Sequence, residues 1–269
     1  MTVGVQRLYM DRFSTNGVAI EFRHVSYVSP TGQEVLSGLS LEVPRGETFI
    51  LLGRSGSGKT TTLKLVNRLL SPSVGEVRVN GVPTAGVDVI ALRRSIGYVI
   101  QDVGLFPHFT VERNIGLVPR IEGWAEDRIR ERVQELLQLV GLEPPLASRY
   151  PRQLSGGQRQ RVGVARALAA DPAIVLMDEP FGSLDPLTRD ELQREFLLLQ
   201  QRLHKTVVFV THDVGEALRL GSRVALMEAG RLVTVLAPQE FLRSSDPWVA
   251  AYVKAFKAGL DSAANRGTE

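Results

Sequence analysis

The sequence predicts an α/β fold with a mostly parallel sheet and an inserted helical segment. Short apolar runs such as residues 49–52 and 173–177 are typical of buried parallel strands, and helical patterns follow them. Between Gln101 and about Ala165 the pattern changes from strand-like to helical. The 269 residues are more than one compact core needs but fit one domain with an inserted lobe.

The N-terminal part of the chain predicts antiparallel strands. Residues 18–25 have a strand pattern that ends at a turn over residues 29–32. Residues 39–43 alternate apolar and polar side chains, which indicates a second strand. Residues 76–79, followed by the dipeptide Asn80-Gly81, indicate a further hairpin.

Strands and helices alternate in the rest of the chain. In the helical segment one amphipathic helix has its apolar side chains at helical spacing, namely Ile129, Val133, Leu136, Leu137 and Val140. Later elements are strands over 206–210 and 223–227, a striped helix over 192–203 and a closing helix over 247–256. We expect residues 257–269 to be a loose tail.

This pattern predicts one domain over residues 18–256, with core parts at 18–100 and 166–256 and a helical part at about 101–165. The formal net charge is +3 and the basic residues are scattered, which gives little support to a nucleic-acid partner. The absence of cysteine excludes disulfides and thiolate metal sites, and it fits a reducing cytoplasm. No bilayer-length apolar run or signal-peptide pattern occurs, so we expect neither secretion nor membrane insertion.

A glycine-rich segment follows the strand 49–52 and leads into a helix expected from Lys59 to about Leu70. It matches the phosphate-binding pattern GxxxxGK[ST], called the P-loop. In this pattern glycines let backbone N–H groups point into one concavity at a helix start. Lys59 can reach the β and γ phosphates, and the Thr60 hydroxyl can ligate Mg²⁺. The predicted nucleotide-binding residues here are Gly53, Arg54, Ser55, Gly56, Ser57, Gly58, Lys59, Thr60 and Thr61.

A second segment of small and hydroxyl-bearing residues precedes the helical stretch 159–170. Its residues are Leu154, Ser155, Gly156, Gly157 and Gln158. The N-terminus of a helix with such residues is an anion site. Because one P-loop binds one triphosphate, a second site of this kind suggests a phosphate held from elsewhere.

These two segments, in this order, resemble the ATP-binding subunits of ABC transporters, with LSGGQ as the signature sequence. The resemblance covers about residues 20–256. It implies a P-loop NTPase (RecA-like) core, an N-terminal antiparallel β subdomain and an inserted α-helical subdomain. It also implies that two copies meet head to tail around two ATP molecules, with the P-loop of one facing the signature of the other.

Two adjacent carboxylates, Asp178 and Glu179, follow the buried strand 173–177. Ligands of open α/β sheets bind beyond the carboxyl ends of the strands, so Asp178 would hold Mg²⁺ and Glu179 would orient or deprotonate the attacking water. A pair of solvated acids at a helix start is the alternative. His212, after the strand 206–210, resembles the family's switch histidine, and Gln101 resembles its Q-loop glutamine, which can ligate Mg²⁺ or bind the water.

Two further assignments rest on the resemblance. Tyr27 resembles the aromatic residue on which adenine stacks in this family. Ser183, Leu184 and Asp185 resemble the D-loop that crosses the dimer interface. Asp185 followed by Pro186 is also a good helix N-cap with proline at the first helical position, and both roles can hold.

Several segments resemble the ATPases of osmoprotectant importers, which carry glycine betaine, choline and carnitine: residues 67–72, 96–101, 104–108, 114–119 with Trp124, and 203–213. The resemblance implies a peripheral subunit at the cytoplasmic face of the membrane, with permease subunits and, indirectly, a substrate-binding protein as partners. Residues 104–119 lie where the family docks its permease, although Leu105, Phe106 and Phe109 could equally be core residues. Many members of this group continue into regulatory CBS modules, which we do not expect here because the sequence ends at Glu269.

Three alternatives stay open from the sequence. The first is an ABC ATPase of an importer for a different small solute. The second is a soluble ABC protein of translation or DNA repair, although the chain shows neither the second cassette nor the long coiled-coil insertion typical of those. The third is an export or lipid-extraction ATPase, which the associated permease would distinguish.

Overall fold

The computed structural model describes residues 17–101 and 103–266, and within them two sheets and the helices around them form the α/β fold that the sequence predicts. The first sheet is antiparallel with strand order β2-β1-β4-β5, and the second has the order β10-β9-β3-β8-β7-β6. In the second sheet β9, β3, β8, β7 and β6 run parallel, whereas β10 pairs antiparallel with β9. The strands are β1 (Val18–Val28), β2 (Glu34–Pro44), β3 (Thr48–Leu52), β4 (Val74–Val79), β5 (Val82–Pro83), β6 (Ile96–Val99), β7 (Ile174–Asp178), β8 (Thr206–Thr211), β9 (Arg223–Glu228) and β10 (Arg231–Leu236).

The α-helices alternate with these strands or lie in the inserted segment between β6 and β7. They are α1 (Lys59–Val66), α2 (Val89–Ser95), α3 (Val111–Ile115), α4 (Leu117–Ile121), α5 (Glu126–Leu139), α6 (Gly156–Leu168), α7 (Pro186–Leu203), α8 (Val214–Leu220), α9 (Pro238–Arg243) and α10 (Pro247–Arg266). Helices α3 to α6 fill the inserted segment, and α6 continues beyond the predicted limit of about residue 165. None of the helices in the described ranges combines the length and apolar character needed to cross a bilayer.

The parallel sheet separates two hydrophobic clusters. Alternate side chains of β3 point to opposite faces, so Ile50 and Leu52 join the cluster that contains the inserted helices. Phe49 and Leu51 join the cluster that contains the antiparallel sheet and α1. All four side chains are fully buried, which explains why this strand has no polar alternation in the sequence.

The helix after the glycine-rich turn is shorter than predicted. It ends at Val66 instead of about Leu70, because Arg68 adopts a left-handed backbone conformation with φ 53°. Tertiary hydrogen bonds hold this break: Arg68 donates to the carbonyl oxygens of Thr84 and Val87, and Arg93 donates to those of Asn67 and Arg68. The sequence prediction was therefore wrong for the last turn.

The closing helix is longer than predicted. Helix α10 spans Pro247–Arg266, so residues 257–266 continue the helix that was predicted to end at residue 256, and residues 267–269 lie outside the described part. The helix is anchored at its start, where Val249 and Val253 are buried against the first cluster. Beyond it the sequence is rich in alanine and contains no proline, which favours continuation of the helix past residue 256.

The topology gathers the carboxyl ends of three strands. Strand β8 lies between β3 and β7 in parallel register, with Leu52 beside Thr211 and Asp178 beside Val210. The segments that follow these strands therefore emerge at one edge of the sheet. They are the glycine-rich turn after β3, the carboxylate pair at the end of β7 and the His212 turn after β8.

Candidate functional site

The glycine-rich turn packs too tightly for side chains at two of its glycines. A Cβ atom at Gly53 would lie 2.3 Å from the carbonyl oxygen of Met227, and one at Gly58 would lie 2.5 Å from Cδ2 of Leu36. Gly58 also has φ 95°, a left-handed conformation at the N-cap of α1. Glycine is the residue that fits these positions, and the loop therefore presents its backbone at the start of α1.

Lys59 is buried at this turn and bridges it. Its ammonium group donates to the carbonyl oxygens of Gly53 at 2.7 Å and Arg54 at 2.8 Å. Burial lowers the pKa of Lys59, and the carboxylates of Glu179 and Asp178 oppose this effect. The sequence thus places a cation where the phosphate chain of a nucleotide would lie over the loop.

Asp178 and Thr60 form a pair of oxygen ligands at the end of β7. The Thr60 hydroxyl donates to Oδ1 of Asp178 at 2.9 Å. Burial raises the pKa of Asp178, and the hydrogen bond from Thr60 opposes the rise. Hydroxyl and carboxylate oxygens of this kind suit Mg²⁺, which accepts a few protein ligands alongside substrate phosphates. The residues present therefore fit a magnesium ion. Thr60 and Gln101 also line the cavity described below, whereas Asp178 is not among its lining residues.

Glu179 and His212 meet across the strand ends. Nδ1 of His212 and Oε2 of Glu179 lie 3.1 Å apart, with the histidine side chain 61% exposed and the glutamate 21% exposed. Glu179 has φ 44°, an uncommon conformation for a residue other than glycine. Backbone bonds hold this bend, because the Glu179 N–H donates to Val210 and its carbonyl oxygen accepts from Gly182. Strained backbone of this kind clusters at functional sites.

A cavity of about 650 Å³ joins these groups, a size typical of small-molecule sites. Its lining contains most of the predicted nucleotide-site and catalytic residues, from the loop Gly53 to Thr61 to Gln101, Glu179 and His212. Tyr27 is not among the described residues that line it; its side chain packs against the second hydrophobic cluster. Stacking of adenine on Tyr27 stays a prediction.

Two lining residues escaped the sequence analysis. Val35 reaches the cavity from β2, and Tyr252 reaches it from α10. The Tyr252 hydroxyl donates to Oε2 of Glu228 at 3.2 Å. Burial and the Glu228 carboxylate raise the pKa of Tyr252. Neither residue belongs to a local motif, so only the packing of β2 and α10 beside the loop identifies them.

The predicted signature segment lies outside this cavity. Ser155 is the N-cap of α6: its hydroxyl accepts from the Gln158 N–H at 3.2 Å, and the Gln158 side chain accepts from the Ser155 N–H at 2.9 Å. Ser155 and Gly156 are exposed, whereas Gly157 is buried against Thr188. In the described part of the chain, none of Leu154 to Gln158 lines the P-loop cavity.

The predicted D-loop lies beside the signature and starts a helix. The Asp185 side chain accepts from the Thr188 N–H at 3.1 Å, so the helix-cap interpretation of Asp185 is confirmed. Hydrogen bonds from Thr188 lower the pKa of Asp185. A guanidinium N–H of Arg189 donates to the carbonyl oxygen of Leu184 at 3.2 Å, which fixes the loop to the first turn of α7.

Comparison with known proteins gives consistent relatives. The ABC transporter family model matches residues 36–182. The choline transport ATP-binding protein OpuBA of Bacillus subtilis is 48% identical over 235 residues, which cover 87% of this chain and 62% of that protein. The glycine betaine uptake system ATP-binding protein YehX of Escherichia coli is 51% identical over 214 residues, 80% of this chain and 69% of that protein. The chain spans about 60% of the length of the first curated relatives that it matches.

Solved structures agree with the fold. The dimeric ATP-binding cassette MJ0796 in a post-hydrolysis state, bound to ADP and Pi, is 33% identical, with a TM-score of 0.74 over 81% of this chain and 98% of that chain. The cbiO1 subunit of the cbiONQ transporter complex from Clostridium perfringens is 29% identical, with a TM-score of 0.79 over 86% of this chain and 93% of that chain. With the phosphate loop, the carboxylates and the histidine gathered at one edge of this fold, the chain belongs to the ABC transporter family.

Proposed function

We propose that this chain is the ATP-hydrolysing subunit of an ABC importer. The observation that carries the proposal is the cavity in which the phosphate loop, Lys59, Gln101 and the Glu179–His212 pair meet. A phosphate chain can lie over the loop, where backbone N–H groups, the start of α1 and Lys59 bind its charge. Positioning and electrostatic stabilisation of this kind make up most of phosphoryl-transfer catalysis.

Each side chain has a distinct role in the proposed reaction. Glu179 accepts a hydrogen bond from the attacking water and takes its proton, and His212 holds the Glu179 carboxylate in place from the exposed side. Thr60, Asp178 and Gln101 would hold Mg²⁺, which when bound neutralises part of the phosphate charge. The hydrogen bond between Thr60 and Asp178 keeps these two oxygens together at the strand ends.

The complete site needs a second copy of the chain. Ser155 and Gly156 of the signature segment are exposed and lie outside the cavity of their own chain, so they are free to meet a nucleotide held elsewhere. We propose a head-to-tail dimer in which Ser155 to Gln158 of one copy face the phosphate loop of the other. Ser183, Leu184 and Asp185 would then lie at the interface. The dimeric form of the MJ0796 cassette supports this arrangement.

The proposed cargo is a quaternary amine such as glycine betaine, choline or carnitine. The relatives at 48% to 51% identity are named as transport proteins for these solutes. The chain would act at the cytoplasmic face of the membrane through a separate permease, supplied indirectly by a substrate-binding protein. An importer of another small solute is the alternative, because the cargo contacts the permease and not this subunit.

The structure also bears on the predicted docking segment, residues 104–119. Phe106 is exposed, whereas Leu105 packs against the first hydrophobic cluster. The buried Asn114 side chain accepts from the Phe106 N–H at 2.8 Å and donates to the carbonyl oxygens of Phe106 and Phe109. This bonding holds Phe106 on a rigid surface, which supports its contact with a permease.

Uptake measurements test the proposal. Cells deleted for the chain are complemented with the wild type, with Lys59→Ala, or with Lys254→Ala, an exposed lysine of α10 outside the cavity lining. We expect the wild type and Lys254→Ala to restore uptake of labelled glycine betaine, choline or carnitine, and Lys59→Ala to fail. If purified wild type hydrolyses ATP but deletion leaves the uptake of all three labels unchanged in a strain without other importers, the cargo assignment is wrong and the ATPase assignment stands.

A further inference from the structure

A buried hydrogen-bonded chain lies behind the Glu179–His212 pair and is not part of the roles described above. Its centre is the Glu216 carboxylate, which is 6% exposed and belongs to α8. The Thr211 hydroxyl donates to Oε2 of Glu216 at 2.6 Å, and the Gln193 amide donates to Oε1 at 3.1 Å. Both carboxylate oxygens therefore have a partner, which a buried carboxylate requires.

One end of this chain fixes the turn that carries His212. Thr211 immediately precedes His212, and its hydroxyl also accepts from the Asp213 N–H at 3.0 Å. The Asp213 side chain in turn accepts from the Glu216 N–H at 3.0 Å and caps α8. Both neighbours of His212 in the sequence are thus bonded into the same network, while the histidine itself is exposed.

The other end lies on the helix that follows the D-loop. Gln193 is buried on α7, and the same helix carries Arg189, which donates to the Leu184 carbonyl oxygen at 3.2 Å. Arg219 donates to Oδ1 of Asp190 and to Oε1 of Gln193, so it ties α8 to α7 a second time. Residues 183–185 and the His212 turn are therefore connected through side chains of two helices.

A small cavity of about 20 Å³ lies between the network and the Glu179–His212 pair. The residues that line it are Glu179, Gly182, Arg189, Thr211, His212, Asp213 and Glu216. Nε of Arg189 is buried and has no hydrogen-bond partner in the described part of the chain. The cavity is large enough for one water molecule beside these residues.

We propose that Glu216 is a positioning residue that holds the His212 turn against the helix following the D-loop, with Thr211 and Gln193 as its two contacts. The role rests on the proposed ATPase function. His212 contacts Glu179 from an exposed position, so its own surroundings do not fix its orientation. The Thr211–Glu216 bond supplies that restraint from the buried side. The Gln193–Glu216 bond links the restraint to α7, which begins at the proposed dimer interface.

The test compares two threonines of one strand. Thr211→Val removes the hydroxyl that contacts Glu216, whereas Thr211→Ser retains it. Thr206→Val is the matched control, because Thr206 is also buried, lies at the other end of β8 and accepts from the Gly46 N–H through its hydroxyl at 2.9 Å, away from Glu216. Kcat for ATP hydrolysis, nucleotide affinity and melting temperature are measured for each purified protein.

We expect Thr211→Val to lower kcat by about 10- to 100-fold with nucleotide affinity unchanged, because displacement of a positioning group affects the chemical step. Thr211→Ser is expected to restore most of kcat, and Thr206→Val to lose stability without loss of kcat. Gln193→Leu, which removes the other contact of Glu216 from a different helix, is expected to lower kcat in the same direction.

Equal kcat for Thr211→Val and Thr206→Val would overturn the inference, as would equal losses in Thr211→Ser and Thr211→Val. If Thr211→Val does not fold, an undiminished kcat in Gln193→Leu overturns it instead. A wild-type protein that fails to hydrolyse ATP in this assay would instead contradict the proposed function. The two failures are therefore distinguishable in a single set of measurements.

Discussion

The chain contains two loops of small residues at helix starts, and they differ in how their polar groups are satisfied. In the P-loop before α1, the buried Lys59 donates hydrogen bonds to backbone carbonyl oxygens of the loop. Two carboxylates and a threonine hydroxyl lie next to this lysine. The signature before α6 exposes Ser155 and Gly156, and it caps its own helix because Ser155 and Gln158 exchange hydrogen bonds across the first turn. The first loop offers charge, whereas the second offers a pre-formed helix end.

This difference separates their functions. The P-loop can hold a phosphate chain within one protomer, since Lys59 supplies a cation and the glycines leave room for the backbone to approach. The signature has no cation of its own in residues 154–158, and it already satisfies two N–H groups internally. Its contribution is therefore expected only when a nucleotide is brought to it by another copy, where the helix dipole and the serine hydroxyl add to the P-loop contacts.

The largest effect is expected on the P-loop side, from Glu179→Gln. This change removes the proton acceptor while it keeps the size of the side chain, so kcat should fall by about 100- to 10,000-fold. ATP affinity should stay within about twofold, because Lys59 and the loop are intact. Steady-state hydrolysis and equilibrium ATP binding check both parts. Glu240→Gln, on α9 outside the cavity, is the matched control, and normal hydrolysis by Glu179→Gln would remove the residue from its assigned role.

The signature side is tested by Ser155→Ala. Loss of the hydroxyl is expected to lower kcat by about tenfold, in line with one lost hydrogen bond. It should also cost about 1 kcal/mol of stability through the lost cap. Asp88→Ala removes an equivalent cap from α2, where Asp88 accepts from the Ala91 N–H, and should cost similar stability without affecting hydrolysis.

Mixing two impaired variants distinguishes a site shared between two copies from a site within one copy. In a head-to-tail dimer of Lys59→Ala with Ser155→Ala, one of the two sites contains both defects and the other contains none. Random mixing should therefore recover about a quarter of wild-type activity, provided that the two sites act independently. A mixture no more active than the sum of the separate variants has two explanations: the two loops do not meet across a dimer, or both sites must be intact for turnover. Nucleotide-dependent dimerisation of Glu179→Gln distinguishes them, because only the second explanation requires a dimer.

Substitutions beside the P-loop and in the signature should also change the stability of the fold in opposite directions. Burial raises the pKa of Asp178, with Glu179 adding to the rise and Thr60, Lys64 and Lys59 opposing it. A raised pKa means that the ionised carboxylate destabilises the fold, and this cost appears as the pH rises through the folded pKa. Asp178→Asn should therefore stabilise the chain near pH 7 and leave its stability unchanged at low pH, while it abolishes Mg²⁺-dependent hydrolysis. Thermal melts across pH 3 to 8 measure this, and lower stability at pH 7 would contradict it.

The sequence predicted the site best where the chemistry is local. The P-loop, the carboxylate pair after β7 and the histidine after β8 each follow a short apolar strand, and parallel strands bring their carboxyl ends together. The cap of α7 by Asp185 was equally predictable, because the cap and its proline are adjacent in the sequence. These features depend on few residues, so a linear pattern contains them.

The features that the sequence did not predict depend on tertiary contacts. Strand β10 was not predicted, and it is held by antiparallel pairing with β9 at the end of the sheet. The early end of α1 depends on Arg93 and on Arg68, which bind carbonyl oxygens up to 26 positions away. Tyr252 enters the cavity because α10 packs beside the P-loop some 200 residues away in sequence. No window of sequence contains both partners of such contacts, so pattern analysis does not detect them.

The smallest expected effect is on ATP affinity. It compares Tyr27, which the sequence predicted to stack on adenine, with Tyr252, which lines the cavity. Tyr252→Leu should weaken ATP binding about threefold, since it removes one aromatic wall of the cavity and the hydroxyl that contacts Glu228. Tyr27→Leu should change ATP affinity by less than twofold, because that side chain packs against the second hydrophobic cluster, and should lower stability instead. Equilibrium binding of ATP to both variants is the measurement. The reverse order of effects would show that adenine stacks on Tyr27, and that the wall formed by α10 contributes to shape and not to affinity.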